Sequence, residues 1–179
     1  MGIDTLVVGG LETNCYILKN NGESIIIDPG AEADKIILAV SDLKVDMILA
    51  THRHYDHIDA LNEIKTHTKA PSAIHTDDWV DGFDIKLRDG QTIPFGTALI
   101  RVIHTPGHTP GGCCFLLEDT LFSGDTLFPG GPGNTSFSGG NEKAIYRSIR
   151  EKLMILPDRT RVYPGHGPAT TIGAERGLY

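Results

Sequence analysis

His52, His54, Asp56 and His57 fall within six residues, directly after the apolar run Val45 to Ala50. A strand that ends in three imidazoles and a carboxylate gathers nitrogen and oxygen donors around one point, and that donor set suits Zn(II), Fe(II) or Mn(II). The competing account is a polar loop that opens a helix, with Asp56 as its N-cap. Three further loops weigh against it. The run Leu99 to Ile103 leads to His108 within Thr-Pro-Gly-His-Thr-Pro-Gly, Thr120 to Phe122 leads to Asp125 within Ser-Gly-Asp-Thr, and Arg161 to Tyr163 leads to His166 within Pro-Gly-His-Gly. Ligand-binding groups of α/β sheets collect outside the carboxyl ends of strands, and glycine and proline fix the tight backbone paths that aim one side chain inward. Together the four loops predict one shared metal site.

The elements that must carry these loops are legible in outline. Strands are expected near Thr5 to Val8, Asn14 to Leu18, Ser24 to Asp28, Val45 to Ala50, Ala73 to His75, around Ile85 and Ile93, then Ala98 to His104, Cys113 to Leu117, Thr120 to Ser123 and just before His166. Helices are expected at about Glu32 to Leu43, Ile58 to His67 and Glu142 to Leu156, with a helical turn at Asp77 to Val80. The last helix carries Ile145, Ile149, Leu153 and Leu156 at helical spacing. Two groups of strands, with helices between and after them, predict an α/β chain of two face-packed sheets with helices outside.

Composition narrows the function. At 179 residues the chain is long enough for a real core and is read as one domain, residues 1–179. Sixteen basic against 23 acidic residues give a net charge of −7, which argues against a nucleic-acid surface. No run approaches the roughly 20 apolar residues of a membrane span, and the N-terminus lacks the pattern of a signal peptide, so a cytoplasmic location is the default. The expected partner is a small-molecule substrate. Cys15, Cys113 and Cys114 make no disulfide framework. Cys113 and Cys114, adjacent in a strand, should point to opposite faces as buried thiols.

The loops around His52-Arg-His54-Tyr-Asp56-His57, His108, Asp125 and His166 occur in the order of the metallo-β-lactamase superfamily, and the chain resembles its glyoxalase II-like branch. The resemblance implies an αββα sandwich with the site at one edge. It further implies a first metal on His52, His54 and His108, a second on Asp56, His57 and His166, and Asp125 bridging them. Seven donors exceed what one four- or five-coordinate ion takes, so two ions, most simply two Zn(II) with Fe or Mn as substitutes, account for the set. Two such metals generate a nucleophilic hydroxide at neutral pH. The implied activity is hydrolysis of small acyl substrates (thioester, ester or lactone) by a metal-bridging hydroxide, with Asp56 and Asp125 as catalytic carboxylates. The alternative is a mononuclear iron persulfide dioxygenase with iron on His52, His108 and Asp125. Histidine rather than glutamate at position 54 separates the chain from the flavodiiron relatives.

Departures from the branch bear on the substrate. Glutathione-binding members carry a Lys or Arg nine residues after the bridging aspartate, where this chain has Asn134, and a tyrosine two after the last histidine, where it has Pro168. The chain ends 13 residues after His166, without a C-terminal helical domain for glutathione. Arg147 and Arg150, on the following helix, are candidates to supply the missing charge, and nothing in the sequence places them. The Gly130 to Gly140 segment is the expected substrate wall. Of the other polar residues, Asp28 is read either as a turn former or as a hydrogen-bond partner of a ligand histidine. His75 and His104 are read as strand-end histidines with ordinary hydrogen bonds, His67 as a surface residue, Trp79 as packing, and Tyr55 as a spacer or pocket wall.

Overall fold

A computed structural model describes residues 1–179. One sheet has the order β1 (Gly2–Val8), β2 (Thr13–Asn20), β3 (Glu23–Ile27), β4 (Lys44–Leu49), β5 (Ser72–His75), β6 (Ile85–Leu87); β1 to β3 are antiparallel and β3 to β6 parallel. The second is built from β7 (Thr92–Phe95), β8 (Ala98–His104), β9 (Cys113–Leu117) and β10 (Thr120–Gly124) as an antiparallel meander. It is extended beyond β10 by the parallel strand β13 (Arg161–Pro164) and then by β14 (Thr170–Thr171). A small hairpin, β11 (Leu127–Phe128) with β12 (Gly131–Pro132), follows Asp125.

The side-chain alternation of the strands sorts residues into three apolar layers. Tyr16, Leu18, Ile25, Ile27, Phe115 and Phe122 pack between the sheets. Cys15, Ile17, Ile26 and Ile48 face outward, under the helices α1 (Ala33–Ala39) and α3 (Leu61–Thr68). Ile103, Cys114 and Val162 face the other way, under α4 (Glu142–Ser148) and the segment that follows it. Ile25, Ile26 and Ile27 are all fully buried because both faces of their sheet are covered. The expected αββα sandwich is present. Cys113 belongs to the inter-sheet layer and Cys114 to the outer one, and burial raises the pKa of both thiols. No helix is long and apolar enough to cross a membrane.

Three expected elements differ. The helix expected from Ile58 to His67 is two pieces, α2 (Tyr55–Ile58) and α3. The amide of Ala60 turns from the helical ladder to the carbonyl of Pro29, 3.1 Å away, and that bond breaks the run. His54, not Asp56, occupies the N-cap of α2. The helix expected from Glu142 to Leu156 is α-helical only to Ser148. It then widens into a π-helix over Ile149–Leu153, closed by Met154 N–H to the Ile149 carbonyl at 2.9 Å. The helix expected at Glu32 to Leu43 is the shorter α1. The hairpin β11–β12, the edge strand β14 and the short α5 (Ile172–Glu175) went unpredicted, because elements of two to four residues carry no readable periodicity.

The tightest approach in this frame holds the site loop. A Cβ on Gly30 would lie well inside contact distance of the carbonyl oxygen of Asp56, and next to its carbonyl carbon. Both neighbours are backbone and cannot swing aside. Gly30→Ala is therefore expected to cost about 3 kcal/mol or more in chemical denaturation, at the upper end of overpacking penalties.

Candidate metal centre

His52, His54, Asp56 and His57 follow β4, His108 lies in the loop after β8, Asp125 follows β10, and His166 follows β13. Four strand ends from both sheets thus meet at one edge. The sheets are stitched there by Asn14, whose amide N–H donates to the Gly165 carbonyl at 2.7 Å and whose side chain donates to Pro164 and Gly167.

All seven side chains expected at the site come together. His52 Nε2 lies 3.1 Å from His54 Nδ1, which lies 2.8 Å from His108 Nε2. His57 Nε2 stands 3.4 Å from both His166 Nε2 and Asp56 Oδ2, and His166 Nε2 is 3.3 Å from Asp56 Oδ2. Asp125 reaches both trios: Oδ2 is 3.4 Å from His108 Nε2 and 3.7 Å from His166 Nε2, while Oδ1 is 3.5 Å from His57 Nε2.

The second nitrogen of each ring decides what the first can do. His57 Nδ1 pairs with Asp28 Oδ2 at 3.0 Å, His108 Nδ1 with the Asn134 carbonyl at 2.6 Å, and His166 Nδ1 with the Leu11 carbonyl at 2.9 Å. Each partner only accepts, so each Nδ1 carries a hydrogen, and each Nε2, once free of a proton, turns its lone pair to the centre. Thr51 donates its hydroxyl to Asp28 Oδ2 at 2.7 Å, leaving its oxygen to accept from His52 Nδ1 at 3.1 Å. Lone pairs facing one another at these distances repel unless a cation lies between them. A tetrahedral ion with bonds of about 2.0–2.1 Å has donor–donor edges of about 3.3 Å, close to the spacings seen here. Asp125 Oδ1 is buried and has no hydrogen-bond partner. The donor set therefore fits metal.

Protonation of the bare protein points the same way. Burial lowers His52 well below its ordinary value, and the neighbouring imidazoles push it further; His54 is lowered by burial and by His108. Burial opposes charge on His57 too, but the charge and hydrogen bond of Asp28, with Asp125 and Asp56, outweigh it and push the imidazole up to about 9. His166 is raised by its bond to Asp56. Asp56 is held well below the usual carboxylate range, against burial, by His166, His57 and the Thr13 hydroxyl at 3.1 Å. A proton on His57 thus occupies what a metal would take. Below about pH 9 metal binding must displace it, so apparent affinity is expected to rise about tenfold per pH unit between pH 7 and 9, with proton release in calorimetry. The sign for folding is opposite. His57 is raised above the unfolded value near 6.5, so its contribution to metal-free stability is full below about pH 6.5 and is lost as pH climbs through 9.

Several contributors escaped the sequence reading. Asp78 is fully buried and joins two site loops: Oδ2 accepts from Arg53 N–H at 3.1 Å and the Thr109 hydroxyl at 2.6 Å, and Oδ1 from Gly111 N–H at 2.7 Å. Thr13, Leu11 and the Asn134 carbonyl act through bonds that no local motif announces. Asp28 is the partner of His57; it sits at φ 54, and its carboxylate also accepts Thr51 N–H at 2.7 Å. His104 Nε2 bonds the Pro110 carbonyl at 2.9 Å and stacks on His75 with ring centroids 3.9 Å apart. Those two rings lie within ligand reach of Asp77, but His104 Nε2 is engaged by the Pro110 carbonyl and His75 Nδ1 accepts Asp77 N–H at 3.3 Å. His67 is exposed in α3, and Trp79 packs beside the outer core under Lys86. Arg147 and Arg150 border a separate surface groove.

The chain belongs to the metallo-β-lactamase superfamily, whose pattern matches residues 8–166. An uncharacterized protein of Aquifex aeolicus is 38% identical, over 98% of this chain and 94% of its own. The probable polyketide biosynthesis zinc-dependent hydrolase BaeB of Bacillus velezensis is 37% identical over 85% of this chain and 72% of its own; the hydroxyacylglutathione hydrolase GloC of Haemophilus influenzae is 30% identical over 98% and 95%. Among solved structures, ETHE1 from Myxococcus xanthus superposes with a TM-score of 0.92 at 31% identity, covering 98% of this chain and 82% of its own. The BLEG-1 B3 metallo-β-lactamase reaches 0.91 at 34%, covering 98% and 97%, and TTHA1623 in a di-iron-bound form 0.86 at 31%, covering 96% of each.

Proposed function

We propose that this protein is a binuclear metal-dependent hydrolase of small acyl substrates, with thioesters first among them. The observation that carries the reading is the position of Asp125, one carboxylate within 3.4 to 3.7 Å of imidazoles from both trios. His52, His54 and His108 would hold one ion, Asp56, His57 and His166 the other, and Asp125 both. Such a pair supplies a hydroxide nucleophile at neutral pH and a Lewis acid for the carbonyl oxygen. The chain's own part is orientation and charge. Asp28, Asn134 and Leu11 keep three imidazoles in the tautomer that presents Nε2, and Thr13 fixes the rotation of Asp56. Asp56 and Asp125 both face the cleft, where their oxygens can take a hydrogen bond from the attacking water. The likeness to BaeB and GloC, both named as hydrolases, supports the reaction class.

The likeness to ETHE1 favours a second reading, a mononuclear iron persulfide dioxygenase on His52, His108 and Asp125. Elemental analysis of protein purified without added metal, followed by thioester assays, separates the two. About two zinc, manganese or iron ions per chain with thioester hydrolysis supports the hydrolase. About one iron per chain, with oxygen consumed on a persulfide and no hydrolysis, replaces it.

A further inference from the structure

The site opens into a cleft of about 510 Å³ lined by eight residues, of which three are hydrophobic: Leu11, Tyr55 and Phe137. These three are 53%, 68% and 52% exposed, so large apolar surfaces that folding would ordinarily bury stand in solvent around the reacting centre. Two of them are tied to the donors. The edge-on ring of Phe137 lies 5.4 Å from His54 and 6.0 Å from His108, centroid to centroid, and the Leu11 backbone accepts from His166. A substrate carbonyl placed at the donors therefore has its substituents against hydrocarbon. The charges lining the cleft come from Asp56, Asp125 and the histidines, and no Lys or Arg is among its walls. Arg53, the nearest cation in sequence, is turned to the buried Asp78, with Nε 3.9 Å from Oδ1. Asn134, which is uncharged, accepts His108 Nδ1–H on its backbone carbonyl and Ser136 N–H on its side-chain oxygen.

We infer that the substrates are acyl thioesters with an apolar acyl chain of several carbons on an uncharged thiol, seated by Leu11, Tyr55 and Phe137, and not the anionic thioesters of glutathione. This rests on the hydrolase reading above. The reaction is RCO–SR′ + H2O → RCOOH + R′SH: a C–O bond to water oxygen forms, the C–S bond breaks, the sulfur takes one water proton, and no electrons are exchanged with a third party. The walls act on binding, since each methylene withdrawn from water onto them contributes about the transfer free energy of a CH2 group.

The test uses metal-loaded protein and two probe series. The first is acetyl to octanoyl thioesters of N-acetylcysteamine, with S-lactoylglutathione beside them; the second is the uncleavable S-alkyl thioethers of N-acetylcysteamine and of glutathione, followed by calorimetry. The expected result is a kcat/KM that rises about two- to fourfold per methylene and exceeds that for S-lactoylglutathione from butanoyl onward. Thioether affinity should follow the same order. In Phe137→Ser and Leu11→Ser the octanoyl-to-acetyl ratio should fall about tenfold or more, and Phe137→Leu should recover most of it. Hydrolysis that is flat in chain length, or fastest with S-lactoylglutathione, overturns the inference and leaves the hydrolase reading standing. Chain-length-dependent thioether binding without turnover of any thioester sustains the apolar site and removes the thioesterase reading. Absence of both overturns the two together.

Discussion

Replacing Asp125 by alanine is expected to leave a folded chain that holds at most one metal and loses kcat/KM by at least about a thousandfold, or roughly 4 kcal/mol of transition-state stabilisation. The reasoning starts from what this carboxylate does not do. Asp125 Oδ1 is buried without a hydrogen-bond partner, so its removal strands no donor of the protein. What disappears is a negative charge placed 3.4 Å from His108 and 3.5 Å from His57, within reach of both trios. Elemental analysis, thermal denaturation of the metal-free protein and steady-state kinetics on one preparation check the three parts. Two metals bound with full activity would remove the bridging role. Unfolding of the metal-free variant would mean that Asp125 supports the fold as well.

The second large effect concerns a residue that no substrate reaches. Asp28→Asn is expected to weaken metal binding by about 10- to 100-fold, the usual consequence of losing a carboxylate behind a ligand histidine. Shape is conserved, and asparagine tolerates the left-handed backbone at φ 54. Hydrogen-bond polarity is not conserved. Asp28 accepts Thr51 N–H on one oxygen and both the Thr51 hydroxyl and His57 Nδ1–H on the other. An asparagine amide must present NH2 to one of these donors, whichever way it is flipped. Facing His57, it drives the ring to the tautomer whose Nε2 carries hydrogen and cannot bind metal; facing Thr51, it strands a buried amide, at about 1–3 kcal/mol. In the metal-free protein His57 should lose most of its elevation from about 9, because the charge of Asp28 is the main force raising it against burial. Titration of the ring by NMR reads that shift separately from metal affinity. An unchanged midpoint would show that the other two carboxylates suffice.

These effects mark how far local sequence reaches. The apolar runs ending at Ala50, Ile103, Phe122 and Tyr163, each followed by a short loop with His or Asp, were sufficient to bring seven candidate donors to one site and, with the family resemblance of their order, to give the two-sheet sandwich and the superfamily. Side-chain period in a strand is a local property, and a glycine- or proline-bounded loop marks where a chain turns, so both survive in one dimension. Asp28 apart, what holds the donors in a working state did not. His166 is oriented by the Leu11 carbonyl, 155 residues away, Asp56 by Thr13 across 43, and His108 by the backbone of Asn134, whose side chain is irrelevant to that bond. A backbone acceptor carries no residue signature, and a pairing between distant loops exists only once both sheets are packed. The apolar walls are an intermediate case: Tyr55 and the Gly130 to Gly140 segment that holds Phe137 were legible as wall candidates, whereas Leu11 was not, and only the joining of three separate loops around the donors turns them into one surface. The sequence determined which chemistry is present at this site. The tertiary structure decided its tautomers, its charge and the kind of molecule that fits against it, because each depends on groups that the packed sheets alone bring within hydrogen-bond or van der Waals range.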